Sequence, residues 1–235
     1  MYPQNTASMP DAMTSSVLAE GFKAELQAWL DTAPDQLPAT RLHNKSYASE
    51  QWFQLMFHHS ILLIHRHRLV AVNRQQQQQE LPPSSAYLEC ASSAQAICQL
   101  YRQLYISQRL NDTWGALHVL FLGGVAFLHC LWTSPDVRAF YRLDKVATTC
   151  TSCIVVLSVM AERWTAVQPY RDAFDILATA TQAMLVDSYT VFAPPELPVF
   201  PTFGQDHDQL SDYLSSIAEV GMCPSVQALL SDMIA

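Results

Sequence analysis

The sequence predicts an all-α protein: a multi-helix regulatory domain of about six to eight packed helices, followed by a proline-rich linker and an acidic C-terminal tail. Apolar residues recur at helical spacing in one segment after another. Alternating β-branched residues, which are typical of strands, are rare. Half of the 235 residues are hydrophobic and only 14% are charged, so the chain has ample material for a core.

The first predicted helix covers residues 15–30, with Ser15 or Ser16 as its N-cap. It carries apolar residues at spacings of four, four and three, which form one stripe along the helix. The stripe consists of Leu18, Phe22, Leu26 and Trp29. The preceding residues, 1–13, are expected to be disordered. They do not have the basic and apolar regions of a signal peptide.

The second helix is predicted from about Ser49 to Val70 and the third from about Ala86 to Leu110. Between them, five consecutive glutamines and two prolines predict a solvated loop. The helical spacing of the third segment predicts its buried face. That face consists of Leu88, Ala91, Ala94, Cys98, Tyr101, Leu104 and Tyr105.

The fourth helix, "TWGALHVLFLGGVAFLHCLW", has two interpretations. Asn111 or Asp112 is expected to cap it, and residues 114–132 carry no charge. Nineteen uncharged residues between two tryptophans are near the length of a membrane span. The internal histidines, the two adjacent glycines and the absence of a flanking basic cluster favour a central core helix without membrane insertion.

Two further helices are predicted, from about Tyr141 to Trp164 and from Pro169 to about Val186. The helical domain is therefore expected to span residues 14–190. Residues 191–204 form the proline-rich linker, and residues 205–235 form an acidic amphipathic tail. From Asp172 onward the chain has nine acidic residues and no basic one. This composition is typical of activation segments, but also of an ordinary acidic helix that docks on the domain.

The stretch "FHHSILLIHRHRLV" in the second helix contains four histidines and two arginines. No two of the histidines are three or four residues apart, so they do not converge on a zinc ion. The arginines lie at the C-terminal end, where they compensate the helix dipole. The pattern therefore predicts a largely buried helix whose polar seam consists of Gln54, His58 and His65.

No motif in the sequence predicts catalysis. The six glycines do not form a phosphate-binding loop or a nucleophile elbow. Cys150 and Cys153 form a single C-x-x-C without a second pair, which favours core packing. The six cysteines are expected to be buried free thiols. We therefore assign no catalytic, cofactor-binding or metal-binding residue and expect no cofactor. The net charge of −8 also argues against direct nucleic-acid binding.

The order of segments resembles the C-terminal part of the middle homology region of fungal zinc-cluster transcription factors. The similar segments are "LQAWLDTAPDQLP", "MFHHSILLIHRHRLV", "CASSAQAICQLYRQL" and "WGALHVLFLGGVAFLHCLW". A final signature combines a Cys–Leu–Trp helix with an Arg-Asp-x-Phe segment. Its matching residues are Cys153, Val156, Leu157, Ala161, Glu162, Arg163, Trp164, Arg171, Asp172, Phe174 and Leu177.

This resemblance covers roughly residues 18–185 and implies an all-α regulatory domain of a nuclear transcription regulator. It implies contacts with the transcription machinery, and it leaves a homodimer and a response to a small ligand open. Two departures are clear. His67 stands where the family usually has Pro, and the six-cysteine zinc cluster is absent. DNA binding, and the zinc it requires, would therefore need a missing N-terminal module. Helical ligand-binding proteins, enzymes and membrane-associated proteins remain as alternatives.

Overall fold

The computed structural model describes residues 12–32, 49–71, 84–110, 113–190, 201, 203, 206–222 and 224–234. These residues form nine α-helices and a short 3₁₀ turn (Thr165–Val167), with no strand among them. The predicted all-α class is therefore confirmed. The helices are α1 (Ala12–Asp31), α2 (Glu50–Ala71), α3 (Ser84–Ile106), α4 (Trp114–Thr133), α5 (Pro135–Phe140), α6 (Leu143–Arg163), α7 (Gln168–Thr190), α8 (Asp206–Val220) and α9 (Pro224–Ile234).

The helix ends differ from the predicted ones where caps were misjudged. Ser15 and Ser16 lie inside α1, which begins at Ala12. The cap of α4 is Thr113, whose hydroxyl accepts a hydrogen bond from the Ala116 N–H at 3.1 Å. The predicted caps, Asn111 and Asp112, lie outside the described residues. The predicted glutamine-rich loop, most of the proline-rich linker and residues 1–11 also lie outside them.

Helix α4 is the centre of the domain and packs against α3, α6, α7 and α9. Its buried residues run without interruption from Leu120 to Trp132. The adjacent glycines allow the neighbouring helices to approach closely. A Cβ at Gly123 would lie 2.8 Å from Ile97 of α3, and a Cβ at Gly124 would lie 2.6 Å from Phe174 of α7. Any larger residue at these two positions would push the neighbouring helices away.

The C-terminal end of α4 is held by a buried arginine. Arg138 of α5 donates hydrogen bonds to the carbonyls of Leu131 (2.9 Å) and Trp132 (2.8 Å). These carbonyls belong to the last turn of α4, where no backbone N–H of the helix can reach them. Burial lowers the pKa of the Arg138 guanidinium, yet arginine stays charged in proteins. The cation therefore compensates the negative end of the helix dipole inside the fold.

Helices α4 and α6 are each long and apolar enough to cross a membrane. In the fold, 72% of the most apolar 18-residue stretch of α4 is buried. For the corresponding stretch of α6, the buried share is 44%. Most of the apolar surface of α4 therefore contacts protein. This packing is what the core-helix interpretation of the fourth segment predicts.

The buried face predicted for α3 is largely correct. Ala91, Ala94, Cys98 and Leu104 are buried between α4 and the other neighbouring helices, but Tyr105 is 39% exposed. The reason is local: the last turn of α3 extends beyond the body of the domain, and the next residue, Ile106, is also exposed. Helical spacing specifies the direction of a side chain but not how far the neighbouring helices extend.

The acidic tail docks on the helical body. Helix α8 packs against α7, while α9 packs against α4 and α2. The apolar residues of the two helices face inward and are almost fully buried, whereas the acidic residues Asp206, Asp208 and Glu219 remain exposed. The buried residues are Leu210, Ile217, Val226, Leu229, Leu230 and Met233. Of the two interpretations of the tail, the structure therefore agrees with the docked acidic helix.

The turn between α8 and α9 is fixed by the carbonyl of Gly221. This glycine has φ of +113°, a backbone conformation that favours glycine and ends α8. Its carbonyl accepts a hydrogen bond from the Tyr170 hydroxyl at 3.2 Å and lies 3.0 Å from His118 Nε2. His118 Nδ1 lies 2.8 Å from the Trp114 carbonyl. The His118 ring therefore lies between two backbone carbonyls, one in α4 and one in the turn that follows α8.

We predict that Gly124→Ala destabilises the fold. The added methyl group would collide with Phe174 and with the sulfur of Cys153, 2.9 Å away. Overpacking of this kind costs about 1–3 kcal/mol in the free energy of unfolding. Gly115→Ala is the matched control, because its Cβ meets only Thr113 at 3.9 Å, and its effect should stay within about 0.5 kcal/mol. Urea denaturation measures both, and equal effects would contradict the close approach.

A second prediction concerns docking of the tail. Ile217→Asp places a carboxylate where the wild-type side chain is fully buried. Losing the buried side chain and desolvating a charge should together cost at least about 3 kcal/mol, so α8 should detach from α7. Hydrogen exchange should then accelerate in residues 206–234 and remain slow in α4. Ser215→Asp adds the same charge at an exposed position and should leave exchange unchanged. Unchanged protection in Ile217→Asp would contradict docking.

Candidate functional site

The histidines of α2 contact polar side chains of α3, inside the helical body. His58 Nδ1 lies 3.3 Å from the hydroxyl of Ser93. His65, which is buried, donates from Nε2 to the carboxylate of Glu89 at 3.0 Å. Two of the three residues of the predicted polar seam therefore face α3, whereas Gln54 donates a hydrogen bond to the exposed carboxylate of Glu50 in its own helix. His58 and His65 each contact a polar side chain of α3, as expected for a largely buried helix with a polar seam.

Glu89 also connects this seam to α1. The ammonium of Lys23 lies 2.9 Å from the Glu89 carboxylate and 2.9 Å from that of Glu20. Desolvation by burial acts to lower the pKa of Lys23, but the hydrogen bonds and charges of the two carboxylates outweigh it, so that the pKa is raised. One carboxylate thus joins α1, α2 and α3. The ring of Trp29 in α1 also contacts that of Phe53 in α2, with centroids 5.1 Å apart.

Within the described part of the chain, no group of three histidine, cysteine or acidic side chains has the arrangement of a metal site. Burial lowers the pKa of His58 and of His59, which favours neutral rings in the fold. The side chains of Arg66, His67 and Arg68 lie outside the described residues. His58 and His65 therefore lie at the contact between α2 and α3.

Five cysteines are buried free thiols, as the sequence predicted. Burial raises the pKa of Cys150 to about 12. Burial and a hydrogen bond with Cys98 raise that of Cys153 well above its ordinary value. Since the thiolate is the reactive form, these groups are poor nucleophiles. The single C-x-x-C belongs to the core, between α6 and its neighbours.

An exposed apolar groove lies between α1 and α2. It has a volume of about 610 Å³. The residues on its α1 side are three or four apart along one face of the helix, and those on its α2 side have the same spacing. The lining residues are Phe22, Glu25, Leu26, Trp29, Ser60, Leu63 and Ile64. We name this feature the α1–α2 groove.

The apolar stripe predicted for α1 lines this groove and only partly contacts the core. Leu18, Phe22 and Trp29 are 50%, 55% and 36% exposed, whereas Ala19 is buried. Ala19 and Lys23 are four residues apart, and Lys23 reaches Glu89. The helix therefore faces the body with a small residue and a paired lysine, and its larger apolar residues face outward. An exposed apolar patch of this kind is typical of a protein-binding surface.

A second depression lies between α3 and α6, with a volume of about 480 Å³. Most of its lining residues have polar side chains, and one of them is a cation, Arg102. Gln99 and Gln103 of α3 and Thr148 and Thr151 of α6 complete most of its wall. A guanidinium beside amides and hydroxyls can bind a small polar or anionic molecule. We name this feature the α3–α6 cleft.

Neither surface was predicted from the sequence. Residues of the groove were identified, but as parts of two separate helices with core-facing stripes. A partial signal was present, because α1 has both a large apolar stripe and an adjacent face carrying Ala19 and Lys23. The face of α1 that contacts the body is the one that carries Lys23, because Lys23 pairs with Glu89. Glu89 lies 66 residues away in the sequence, so this choice could not be read from α1 alone.

Comparison with known proteins gives two matches. The chain is 33% identical to the "Positive regulator of purine utilization" of Emericella nidulans over 108 residues, which are 46% of this chain and 10% of the relative. It is 28% identical to an uncharacterized transcriptional regulatory protein of Saccharomyces cerevisiae over 127 residues, covering 45% of this chain and 9% of the relative. No family model and no solved structure matches.

The matched region is thus about a tenth of the length of these curated relatives. Both relatives are fungal regulators by name, and the name of the second specifies transcription. They are of the class that the ordered helical segments resemble. The resemblance to fungal transcription factors is therefore confirmed over about 45% of the chain, and this region is homologous to fungal transcriptional regulators.

Proposed function

We propose that this chain is a regulatory domain that controls transcription through protein–protein contacts. The observation that carries the proposal is the similarity to two fungal transcriptional regulators over nearly half of the chain. The α1–α2 groove supports it, because large apolar side chains at helical spacing are exposed there. The net charge of −8 indicates that DNA would be reached through another module or a partner.

A non-enzymatic role fits this proposal. The relatives are regulators by name, and the described histidines and thiols serve packing contacts. A response to a small ligand stays a prediction. The α3–α6 cleft, with Arg102 in its wall, is where a small polar effector would bind.

A reporter assay tests the proposed regulation. The chain is fused to a heterologous DNA-binding module upstream of a reporter gene. We expect reporter output to differ from that of the module alone, because contacts at the α1–α2 groove would recruit or exclude other proteins. Phe22→Ser should reduce this effect, since it removes an apolar side chain that is exposed in the groove.

Phe140→Ser is the matched control, because Phe140 is 70% exposed and lies at the end of α5, outside both the groove and the α3–α6 cleft. It should retain the full effect on the reporter. Equal expression of all fusions is checked by immunoblot. Reporter output equal to that of the DNA-binding module alone, with well-expressed fusions, would argue against regulation by this chain.

Nuclear localisation is the second prediction from this proposal. The chain is fused to tandem fluorescent proteins, which are too large for passive diffusion through nuclear pores. Microscopy of fungal cells should place the fusion in the nucleus, where transcription regulators act. The tandem proteins alone are the control. Fluorescence on membranes would favour the alternative in which α4 spans a bilayer, and an exclusively cytoplasmic signal would contradict the proposed nuclear role.

A further inference from the structure

We propose that the α1–α2 groove binds a basic amphipathic helix of a partner protein. This inference rests on the proposed function and specifies the chemistry of its partner. The first argument is shape. Two helices supply walls at spacings of three and four residues, with Phe22, Leu26 and Trp29 on one side and Leu63 and Ile64 on the other. A helix whose apolar residues recur at the same spacing inserts them between such walls.

The second argument is charge. Glu25 lies within the groove lining, and Glu20, Asp31 and Glu50 are exposed on the same two helices. The one lysine described on α1, Lys23, contacts Glu20 and Glu89. The one charged residue in the described lining of the groove is thus the acidic Glu25. A partner helix with lysine or arginine beside its apolar stripe would complement this carboxylate, while an acidic helix would be repelled.

Charge also argues against a second copy of this chain as the occupant. In a symmetric dimer through this surface, α1 of each copy would bring its own acidic residues against those of the other. The C-terminal helices are no better partners. Their acidic residues would meet Glu25, and their apolar residues already contact α7 and α4. A basic helix from another protein is the occupant that satisfies both the apolar walls and the acidic rim.

The third argument concerns energy. Phe22 and Trp29 are large aromatic residues that expose much of their side chains. Aromatic residues dominate the energetics of interfaces because each buries a large apolar area with few rotatable bonds. Burying them beneath a partner helix would supply the main hydrophobic contribution to binding. The charges would then determine which helix is accepted and how fast it associates.

A designed peptide tests this. It carries leucines at i, i+4 and i+7 with lysines on both flanks, and binding to the full chain is followed by fluorescence anisotropy. One control peptide has the same composition in scrambled order, and another has glutamate in place of lysine. We expect the amphipathic basic peptide to bind at least about tenfold more tightly than either control, since each control loses the apolar or the charge complement.

Variants of the chain locate the site. Phe22→Ser should weaken binding by about tenfold, as expected for an aromatic anchor. Glu25→Lys should weaken binding of the basic peptide by about fivefold and strengthen that of the glutamate peptide. Phe140→Ser should leave the affinity unchanged. Circular dichroism verifies that each variant remains folded.

Several outcomes would overturn the inference. Equal binding of the basic and scrambled peptides would mean non-specific charge attraction, and tighter binding of the glutamate peptide would reverse the assigned chemistry. A dimer in sedimentation that Phe22→Ser dissociates would make a second copy the occupant. If the reporter effect persists while no peptide binds, the partner chemistry is wrong and the regulatory role stands. If the reporter effect is absent while the basic peptide binds, the groove is a binding site outside transcription.

Discussion

The fold depends on the close approach of three helices to α4 at Gly123 and Gly124. At the first glycine α3 supplies Ile97, and at the second α6 and α7 supply Cys153 and Phe174. Interhelical distances of this kind need the small residues that the sequence places in the middle of its most apolar helix. Because α3, α6 and α7 also contact α2 and α8, the position of α4 determines where the outer helices lie. The exposed surfaces, including the α1–α2 groove, follow from this arrangement.

Polar contacts between helices, some of them buried, specify which helices are neighbours. Glu89 pairs with His65 of α2 and Lys23 of α1, Arg138 holds the last turn of α4, and Gly221 offers one carbonyl to α4 and α7. Each contact joins elements that are separated along the chain. Buried polar groups are costly unless they are paired, so each pairing disfavours alternative helix arrangements. Apolar packing alone would discriminate less well among them.

The all-α class, most helix positions and the core role of α4 could be predicted from the sequence, since helical periodicity is a local property. The helical pattern also predicted a histidine-containing seam, and the spacing of the histidines argued against a zinc site. The outward face of α1 could not be predicted, since it depends on the distant Glu89. The tail was ambiguous because its docking also depends on residues distant in the sequence. Its composition suits both free and docked helices, and only the complementary surface of α7 and α4 distinguishes the two. The groove and the cleft each require two helices to be placed together, which periodicity within one helix does not specify.

The burial of Cys90, Cys98, Cys130, Cys150 and Cys153 has a practical consequence. Alkylating reagents need an accessible thiolate, so in the folded state these five side chains are protected and become labelled only when the helices separate. The rate of alkylation therefore measures opening of the core without any engineered probe. With Cys223 replaced by serine, a single cysteine introduced on the surface would be the preferred target for a fluorophore or spin label. With two such labels on different helices, the distance between the helices could be measured while the five buried cysteines remain in place.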